Sequence, residues 1–369
     1  MSNLLQKQIG SHSCICVVAA HFTADHVLYI QELSAHYCPL GYDVHLVVDH
    51  LSPEKASILS TKHNLSINSV TVEECVEKNY KYCVLSEPGK TGYGPVNGWD
   101  KSLFMLAHSK PYSNYWLLED DVLLLNIDSL SEIDNFYAES VDLLIQTLTT
   151  PQKIRQERKV HLPYMWEGFA KNPYVIKADG STGQRVETSG FKKSRDFLRR
   201  ADWKSLEKME PFKDVDLSEF CINWPLSHSM TSAVRFSSNL LDCIKKSVKT
   251  HKRLIFQEYI FGTLALHHNL VVKPSFFLKD ISHSPGDKIS QIKKLLDGSL
   301  TPKEFIVRSG RHLSTLYHPL KGLDNHRKFR SILSKVINSG RVDTVKAYNK
   351  EGRDGPLDSF VSYKFSQDV

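Results

Sequence analysis

The chain has 369 residues, of which 41% are hydrophobic and 24% are charged. This composition is that of a globular protein with a sizeable core, and it excludes a disordered or fibrous chain. The net charge of +6 comes from 47 basic and 41 acidic residues without a dense basic block, which argues against a nucleic-acid partner and suits small anionic ligands.

The start of the chain carries no sign of a membrane segment. Residues 1–13 are polar, and the apolar run at 14–20 is too short for a signal peptide or a membrane span. The seven cysteines are dispersed and form no CxxC pair, which is typical of a protein from a reducing compartment. We therefore expect a cytoplasmic protein without a transmembrane segment.

The first elements form a βαβ unit. Residues 14–20, CICVVAA, predict a buried strand, and apolar residues at helical spacing predict a helix over 25–37. Pro39 and Gly41 end this helix before a second strand at 42–48. A parallel sheet with helices packed on it is the architecture that such alternation predicts.

The most apolar strand of the sequence comes later. A third strand at 67–72, a loop at 87–98 and a helix at 100–108 precede it. The strand itself runs from 115 to 125 and is interrupted only by three acidic residues at 119–121. This interruption is the most informative feature of the sequence.

The second half of the chain is less regular. Residues 151–216 are charged and irregular, which predicts an insertion or mobile loops beside the functional site. A strand at 233–236 then leads into an amphipathic helix that begins at Ser237 or Ser238. The remaining predicted elements are a helix at 257–268, a strand at 270–272 and a basic amphipathic helix at 327–340.

The three adjacent carboxylates predict a metal site. Like charges so close together raise one another's pKa unless a cation neutralises them. Alternation along a strand directs Glu119 and Asp121 to one face and Asp120 to the other. Oxygen ligands of this kind suit Mn²⁺ or Mg²⁺, which also bind phosphate oxygens. The alternative is an acidic cluster that is only solvated.

The segment YWLLEDDVLLL, with GWDKSLFMLAH before it, resembles the DxD-bearing strand and the preceding helix of GT-A nucleotide-sugar glycosyltransferases. The resemblance implies an α/β fold with a Rossmann-like, mixed and mostly parallel central sheet flanked by helices, in a single domain with inserted loops. It covers residues 12–321, with an acceptor-side insertion at 151–216, and leaves 322–369 as a C-terminal helical extension. It also implies that Asp121 binds the metal. Glu119, where the family most often has aspartate, then faces the metal or the ribose of the donor.

A second segment, FQEYIFGTLALHHNL, resembles the helix that carries the catalytic base of inverting GT-A enzymes. This resemblance implies that Glu258 takes a proton from the acceptor hydroxyl. The alternative is that Glu258 only stabilises the N-terminus of its helix by its charge. In that case a retaining reaction remains open.

The third segment is YHPLK at 317–321, where several GT-A families place a histidine that completes the metal shell or contacts the diphosphate. The resemblance implies that His318 is a metal ligand and that Lys321 holds phosphate charge. The chain has 17 histidines, so a histidine without any role at the metal is the alternative.

Ligands of open α/β sheets bind beyond the carboxyl ends of the strands, which points to the loop after the first strand and to the end of the second. Thr23 has an alternative role as a helix cap, and Lys101 as an exposed residue of a helix start. The predicted donor-binding residues are His21, Thr23, Asp49, Lys101, Glu119, Asp120 and Lys321.

The predicted function is that of a metal-dependent glycosyltransferase that transfers a sugar from a UDP- or GDP-sugar to a glycan or another hydroxyl acceptor, with inversion. One alternative is a sugar nucleotidyltransferase, although CVVAAHFTADH lacks the glycine- and arginine-rich phosphate loop of that class. Another is a non-catalytic carbohydrate- or nucleotide-binding protein of the same fold. The basic helix at 327–340 either packs on the domain or makes a peripheral membrane contact.

Overall fold

The computed structural model describes residues 12–81, 96–137, 141–146, 230–251, 254, 257–278, 280–281, 287–302, 304–305, 315–338, 343–344 and 363–364. The insertion predicted at 151–216 lies outside these residues. Within them, no helix has both the length and the apolar character needed to cross a membrane.

The strands are β1 (Ser13–Ala19), β2 (Tyr42–Val48), β3 (Ser66–Asn68), β4 (Asn114–Glu119), β5 (Leu123–Leu124), β6 (Leu143–Ile145), β7 (Ala233–Ser237), β8 (Val272–Pro274), β9 (Asp280–Ile281), β10 (Leu316–His318), β11 (Asp343–Thr344) and β12 (Tyr363–Lys364). The helices are α1 (Ala24–Tyr37), α2 (Pro53–His63), α3 (Val72–Glu77), α4 (Gly98–His108), α5 (Ser129–Tyr137), α6 (Ser238–His251), α7 (Gln257–His267), α8 (Asp287–Leu296) and α9 (Leu323–Asn338).

Seven strands form the central sheet in the order β3-β2-β1-β4-β7-β6-β8. Strands β3, β2, β1 and β4 are mutually parallel, β7 runs antiparallel to both of its neighbours, and β8 is parallel to β6. The predicted fold class, a Rossmann-like, mixed and mostly parallel sheet flanked by helices, is confirmed. Because the chain moves from β1 outward to β2 and β3 and then returns to β4 on the other side, the order reverses between β1 and β4.

Strand β1 is central to the core because both of its faces are covered. Its side chains alternate between two apolar clusters, with Cys14, Cys16 and Val18 in one and Ile15 and Val17 in the other. A strand buried on both faces reads as a continuous apolar run in sequence. This is why CICVVAA predicts it correctly.

The strand predicted over 115–125 is wrong as a single element. The chain turns at Asp120 and Asp121, where the Val122 amide donates to the Glu119 carbonyl at 3.1 Å. Beyond the turn, β5 leaves the central sheet and joins a second sheet of order β5-β10-β9. The apolar residues of both halves are buried, so the apolar pattern alone does not reveal the change of sheet.

Other boundaries differ by a few residues. The third strand is only Ser66–Asn68, the fourth helix starts at Gly98 rather than at 100, and the last predicted strand lies at Val272–Pro274. Of the two candidate caps of α6, Ser237 is the one whose hydroxyl accepts from the Leu240 amide, at 3.3 Å. The elements that the sequence pattern did not indicate are helices α2, α3, α5 and α8 and strands β6, β9, β10, β11 and β12.

Helix α9 packs against α1 through charged side chains. Arg330 donates to Glu32 with an Nε–Oε1 distance of 3.0 Å and lies over the ring of Tyr29. Arg327 lies 3.2 Å from Asp25 in the same contact. Two arginines of the predicted basic helix therefore bind to the protein itself.

Candidate functional site

Glu119, Asp121 and His318 form a compact cluster of metal-binding side chains. Glu119 ends β4, Asp121 lies in the turn that follows, and His318 ends β10. The His318 Nε2 atom is 3.1 Å from Glu119 Oε2 and 3.0 Å from Asp121 Oδ1. Ligands about 2.1 Å from an octahedral ion stand roughly 3 Å apart, and the three ligand atoms here lie within 4.8 Å of one another. Two carboxylates and a neutral imidazole together are a donor set that can hold a divalent metal ion.

The oppositely charged groups of the cluster stabilise one another's ionised forms. Burial opposes ionisation of Asp121, but hydrogen bonds and charges from His318 and Lys321 outweigh it and lower its pKa to about 2. Burial likewise disfavours a charged His318, yet the two carboxylates raise its pKa to about 9. Glu119 has a lowered pKa, because His318 outweighs its burial. A concentrated negative site is thus balanced by cationic groups.

Lys321 completes this balance. Its ammonium group contacts Asp121 Oδ2, although the lysine side chain is 82% exposed. The loop that carries Lys321 is fixed to the acidic turn because the Leu320 amide donates to the Asp121 carbonyl at 2.9 Å. Lys321 therefore places a positive charge at the exposed side of the cluster.

Trp99 supports the cluster from the first turn of α4. Its indole N–H donates to Glu119 Oε1 at 2.9 Å. Helix α4 comes this close to the sheet because residue 98 is glycine, and a Cβ there would stand 2.9 Å from Val18 Cγ1. The predicted site residues did not include Trp99, and the only sign of a role was its position directly before the helix predicted over 100–108.

Asp120 points away from the cluster, as the alternation along the strand predicts. It interacts instead with the buried His26 in α1, with 3.0 Å between Asp120 Oδ2 and His26 Nε2. The Thr23 hydroxyl and amide both contact His26 Nδ1, at 2.8 and 3.0 Å. Thr23 is also the N-cap of α1. No pattern in the sequence indicated a role for His26.

Asp49 follows β2 at the same edge of the sheet and is held by Lys101. The Lys101 ammonium lies 2.7 Å from Asp49 Oδ1 and 2.6 Å from its carbonyl oxygen, and this lysine is buried. The structure therefore brings two predicted donor-binding residues together. A direct contact of Lys101 with a diphosphate stays a prediction.

A groove lies beside the carboxyl ends of β1 and β2. The imidazole rings of His21 and His50 stack at its rim with centroids 4.8 Å apart. Phe22, Leu51 and Ile58 supply apolar surface, and the groove has a volume of about 420 Å³. This volume lies within the range of small-ligand pockets, roughly 300–1,000 Å³.

Glu258 is the second residue of α7, and its side chain lies outside the described part of the structure. The neighbouring Gln257 accepts from Asn97 Nδ2 at 3.2 Å. Because Asn97 caps α4 and Trp99 follows it, the start of α7 lies beside the helix that contacts Glu119. The role of Glu258 stays a prediction.

His326 anchors the loop that carries His318 and Lys321. Its Nε2–H donates to the Leu320 carbonyl at 2.7 Å, and its Nδ1 has no partner among the described residues. Burial lowers the pKa of His326 to about 4, assisted by the charge of Arg330. The ordinary value of about 6.5 applies in the unfolded chain.

We expect the stability of the protein to fall between pH 6.5 and pH 4 because of His326. In this range the unfolded chain binds the proton and the folded chain does not, so the free energy of unfolding decreases as the pH falls, by up to about 3 kcal/mol. Urea unfolding at several pH values should show a flatter pH profile for His326→Gln than for the natural chain. The exposed His108, which also bonds a backbone carbonyl, provides the control His108→Gln. Equal profiles for His326→Gln and the natural chain would contradict the prediction.

No protein-family model matches the chain, and no curated protein matches it significantly. One similar solved structure is a mannosyltransferase from Pyrobaculum calidifontis in complex with GDP-Man and Mn²⁺, 9% identical over 89% of this chain and 76% of that chain, with a TM-score of 0.32. Another is glucosyl-3-phosphoglycerate synthase from Mycobacterium tuberculosis, 12% identical over 91% of this chain and 84% of that one, with a TM-score of 0.32.

A third similar structure is a mycobacterial protein, 12% identical, with a TM-score of 0.26. The match covers 37% of this chain and only 40% of the length of that protein. TM-scores this low support no inference about the present chain. The proposals below therefore rest on its own geometry.

Proposed function

We propose that this chain is a metal-dependent glycosyltransferase that transfers a sugar from a UDP- or GDP-sugar to a hydroxyl group of a glycan or another acceptor. The observation that carries the proposal is the cluster of Glu119, Asp121 and His318 at the carboxyl edge of the sheet. It lies where the strand order reverses between β1 and β4, which is where open α/β sheets bind nucleotides.

The cluster would hold Mn²⁺ or Mg²⁺. When bound, such an ion neutralises the diphosphate that leaves in the reaction. Lys321 is placed to add positive charge at the same point, since its ammonium group already reaches Asp121. Trp99 keeps Glu119 oriented by its hydrogen bond to Glu119 Oε1.

The groove at His21 and His50 suits the nucleoside part of the donor. Stacked rings and apolar side chains offer a flat surface for a base. Asp49 lies nearby with its carboxylate fixed by Lys101, and it can accept hydrogen bonds from hydroxyl groups. His26 links Thr23, which follows the groove residue Phe22, to Asp120, which lies next to the cluster. We assign these two residues to the rest of the donor.

For the transfer itself, we assign the base to Glu258. Its carboxylate takes the proton of the acceptor hydroxyl, while the acceptor oxygen forms a bond to the anomeric carbon of the sugar. The bond between that carbon and the diphosphate breaks, and the nucleoside diphosphate leaves with the electron pair. Attack opposite to the leaving group inverts the anomeric configuration.

The direct test is a screen of UDP- and GDP-sugars for Mn²⁺-dependent release of nucleotide. Release of UDP or GDP from one donor, and its loss on metal chelation, would support the proposal and identify the donor. Binding without release would favour the non-catalytic alternative. Formation of a nucleotide-sugar from a sugar phosphate would instead identify a nucleotidyltransferase.

We expect Glu258→Gln to lower the rate of nucleotide release by about 100-fold or more while donor affinity is retained, because general bases contribute roughly 10²–10⁴-fold. The measurement is steady-state release with the donor from the screen, together with calorimetric binding. Glu73 is exposed in the first turn of α3, so Glu73→Gln is a control for the loss of a carboxylate at a helix start. A normal rate for Glu258→Gln would exclude the base assignment and leave a retaining mechanism.

A further inference from the structure

We propose that His26 is a positioning residue that holds the carboxylate of Asp120 ready to bind a hydroxyl group of the donor. The proposal rests on the proposed function and adds a residue to its site. His26 is only 3% exposed and lies within the first turn of α1. The Asp120 side chain is 33% exposed and open to a ligand.

The contacts of His26 determine its tautomer. The backbone amide of Thr23 is a donor in every state of the protein, and its nitrogen is 3.0 Å from His26 Nδ1. Nδ1 must therefore accept, and the ring proton of the neutral imidazole lies on Nε2. From there it donates to Asp120 Oδ2 at 3.0 Å.

Hydrogen bonds fix both the main chain and the side chain of Asp120. The Asp120 amide donates to the Val18 carbonyl at 2.9 Å, which anchors its main chain to the edge of β1. His26 then engages one of the two carboxylate oxygens and restricts the side-chain rotation. The second oxygen is held in a fixed orientation in which it can accept a hydrogen bond from a hydroxyl group. This lowers the entropic cost of binding.

A purely structural role for His26 would be to cap α1, since it belongs to the capping box with Thr23. Such a role affects the stability of the helix but does not require Asp120. The contact with Asp120 spans 94 residues of the sequence and is not part of a helix cap. The two roles therefore differ in whether the effect of changing His26 depends on Asp120.

The test is a double-mutant cycle of His26 and Asp120. Calorimetry measures the affinity for UDP, GDP, UDP-glucose and GDP-mannose in the presence of Mn²⁺. His26→Phe keeps the ring but removes the nitrogen atoms, and we expect about tenfold weaker binding, as for other partners that orient a ligand-binding group. In the Asp120→Asn background the same change should have almost no further effect. His26→Gln, which keeps a side-chain N–H, should restore part of the affinity. If the two substitutions are already coupled in the binding of UDP or GDP, Asp120 binds a ribose hydroxyl. If they are coupled only in the binding of UDP-glucose or GDP-mannose, Asp120 binds a hydroxyl of the sugar.

A matched control lies on the same helix. His36 Nε2 is 2.9 Å from Asp128 Oδ1 at the other end of α1, and His36→Phe should leave nucleotide affinity unchanged. Independent effects of His26→Phe and Asp120→Asn would overturn the proposal while leaving the proposed function intact. If the natural chain binds no nucleotide, the proposed function fails and this inference fails with it.

The tautomer provides a test that needs no ligand. In ¹H–¹⁵N spectra of the protein labelled at histidine, His26 should show a protonated Nε2 and an unprotonated Nδ1. His26→Gln identifies the resonance by its disappearance. A proton on Nδ1 would exclude the chain of hydrogen bonds and overturn the assignment.

Discussion

Replacing Asp121 by asparagine is expected to weaken Mn²⁺ binding by at least about 100-fold and to reduce nucleotide release by about 1,000-fold. Outer partners of a metal ligand alone contribute roughly 10–100-fold, and Asp121 is a direct candidate ligand. The substitution also removes the negative charge that Lys321 contacts and one of the two carboxylates that pair with His318. The expected rate loss corresponds to several kcal/mol of transition-state stabilisation by the ion.

Two measurements separate the metal role of Asp121 from a role in folding. Titration of free Mn²⁺ by electron paramagnetic resonance reports the affinity for the ion, and thermal unfolding without metal reports the fold. Asp242 is an exposed aspartate on α6 that pairs with a lysine one turn away, so Asp242→Asn is the matched control. Unchanged Mn²⁺ affinity in Asp121→Asn would exclude the cluster as the metal site.

Much of the site could be predicted because its signals are local. The alternation of side chains along β4 separates Asp120 from Glu119 and Asp121 correctly, even though the strand ends there. The apolar runs of β1 and β2 predict their ends, and thereby the position of Asp49. His318 was placed by a family resemblance, and the structure brings it to both carboxylates.

The contacts that were missed depend on how helices pack on the sheet. Trp99 contacts Glu119 because Gly98 allows α4 to approach β1. His26 contacts Asp120 because the first turn of α1 lies next to the acidic turn. No spacing in the sequence reports these distances. The same holds for β5, whose apolar residues fit either sheet equally well.

The stability of the sheet depends on a buried charge network at Asp134 in α5. Its Oδ1 atom lies 2.6 Å from Nε of Arg235, a residue of β7 that is only 1% exposed. The other oxygen, Oδ2, accepts from the Tyr42 hydroxyl at 2.7 Å and from the Trp116 indole at 3.1 Å. One carboxylate therefore joins α5 to the strands β2, β4 and β7.

We expect Asp134→Ala to lower the free energy of unfolding by about 3–5 kcal/mol, because removing one partner of a buried ion pair leaves an uncompensated charge. Arg235 has no route to water from its position in the sheet, and its remaining contact to the Val141 carbonyl does not neutralise it. Asp134→Asn keeps an acceptor without the charge and should fall between the natural chain and the alanine variant. Urea unfolding followed by circular dichroism measures all three proteins.

We attribute the loss of stability in Asp134→Ala to the unpaired charge of Arg235 rather than to the lost hydrogen bonds. A double variant separates these two causes. Replacing both partners, Asp134→Leu with Arg235→Met, removes the charge as well as the bond, so it should cost less than Asp134→Ala alone. The exposed pair of Asp242 and Lys245 sets the scale for a solvated contact, and Asp242→Ala should change stability by less than about 1 kcal/mol. If the double variant is less stable than Asp134→Ala, the network contributes through its hydrogen bonds and the charge argument is wrong.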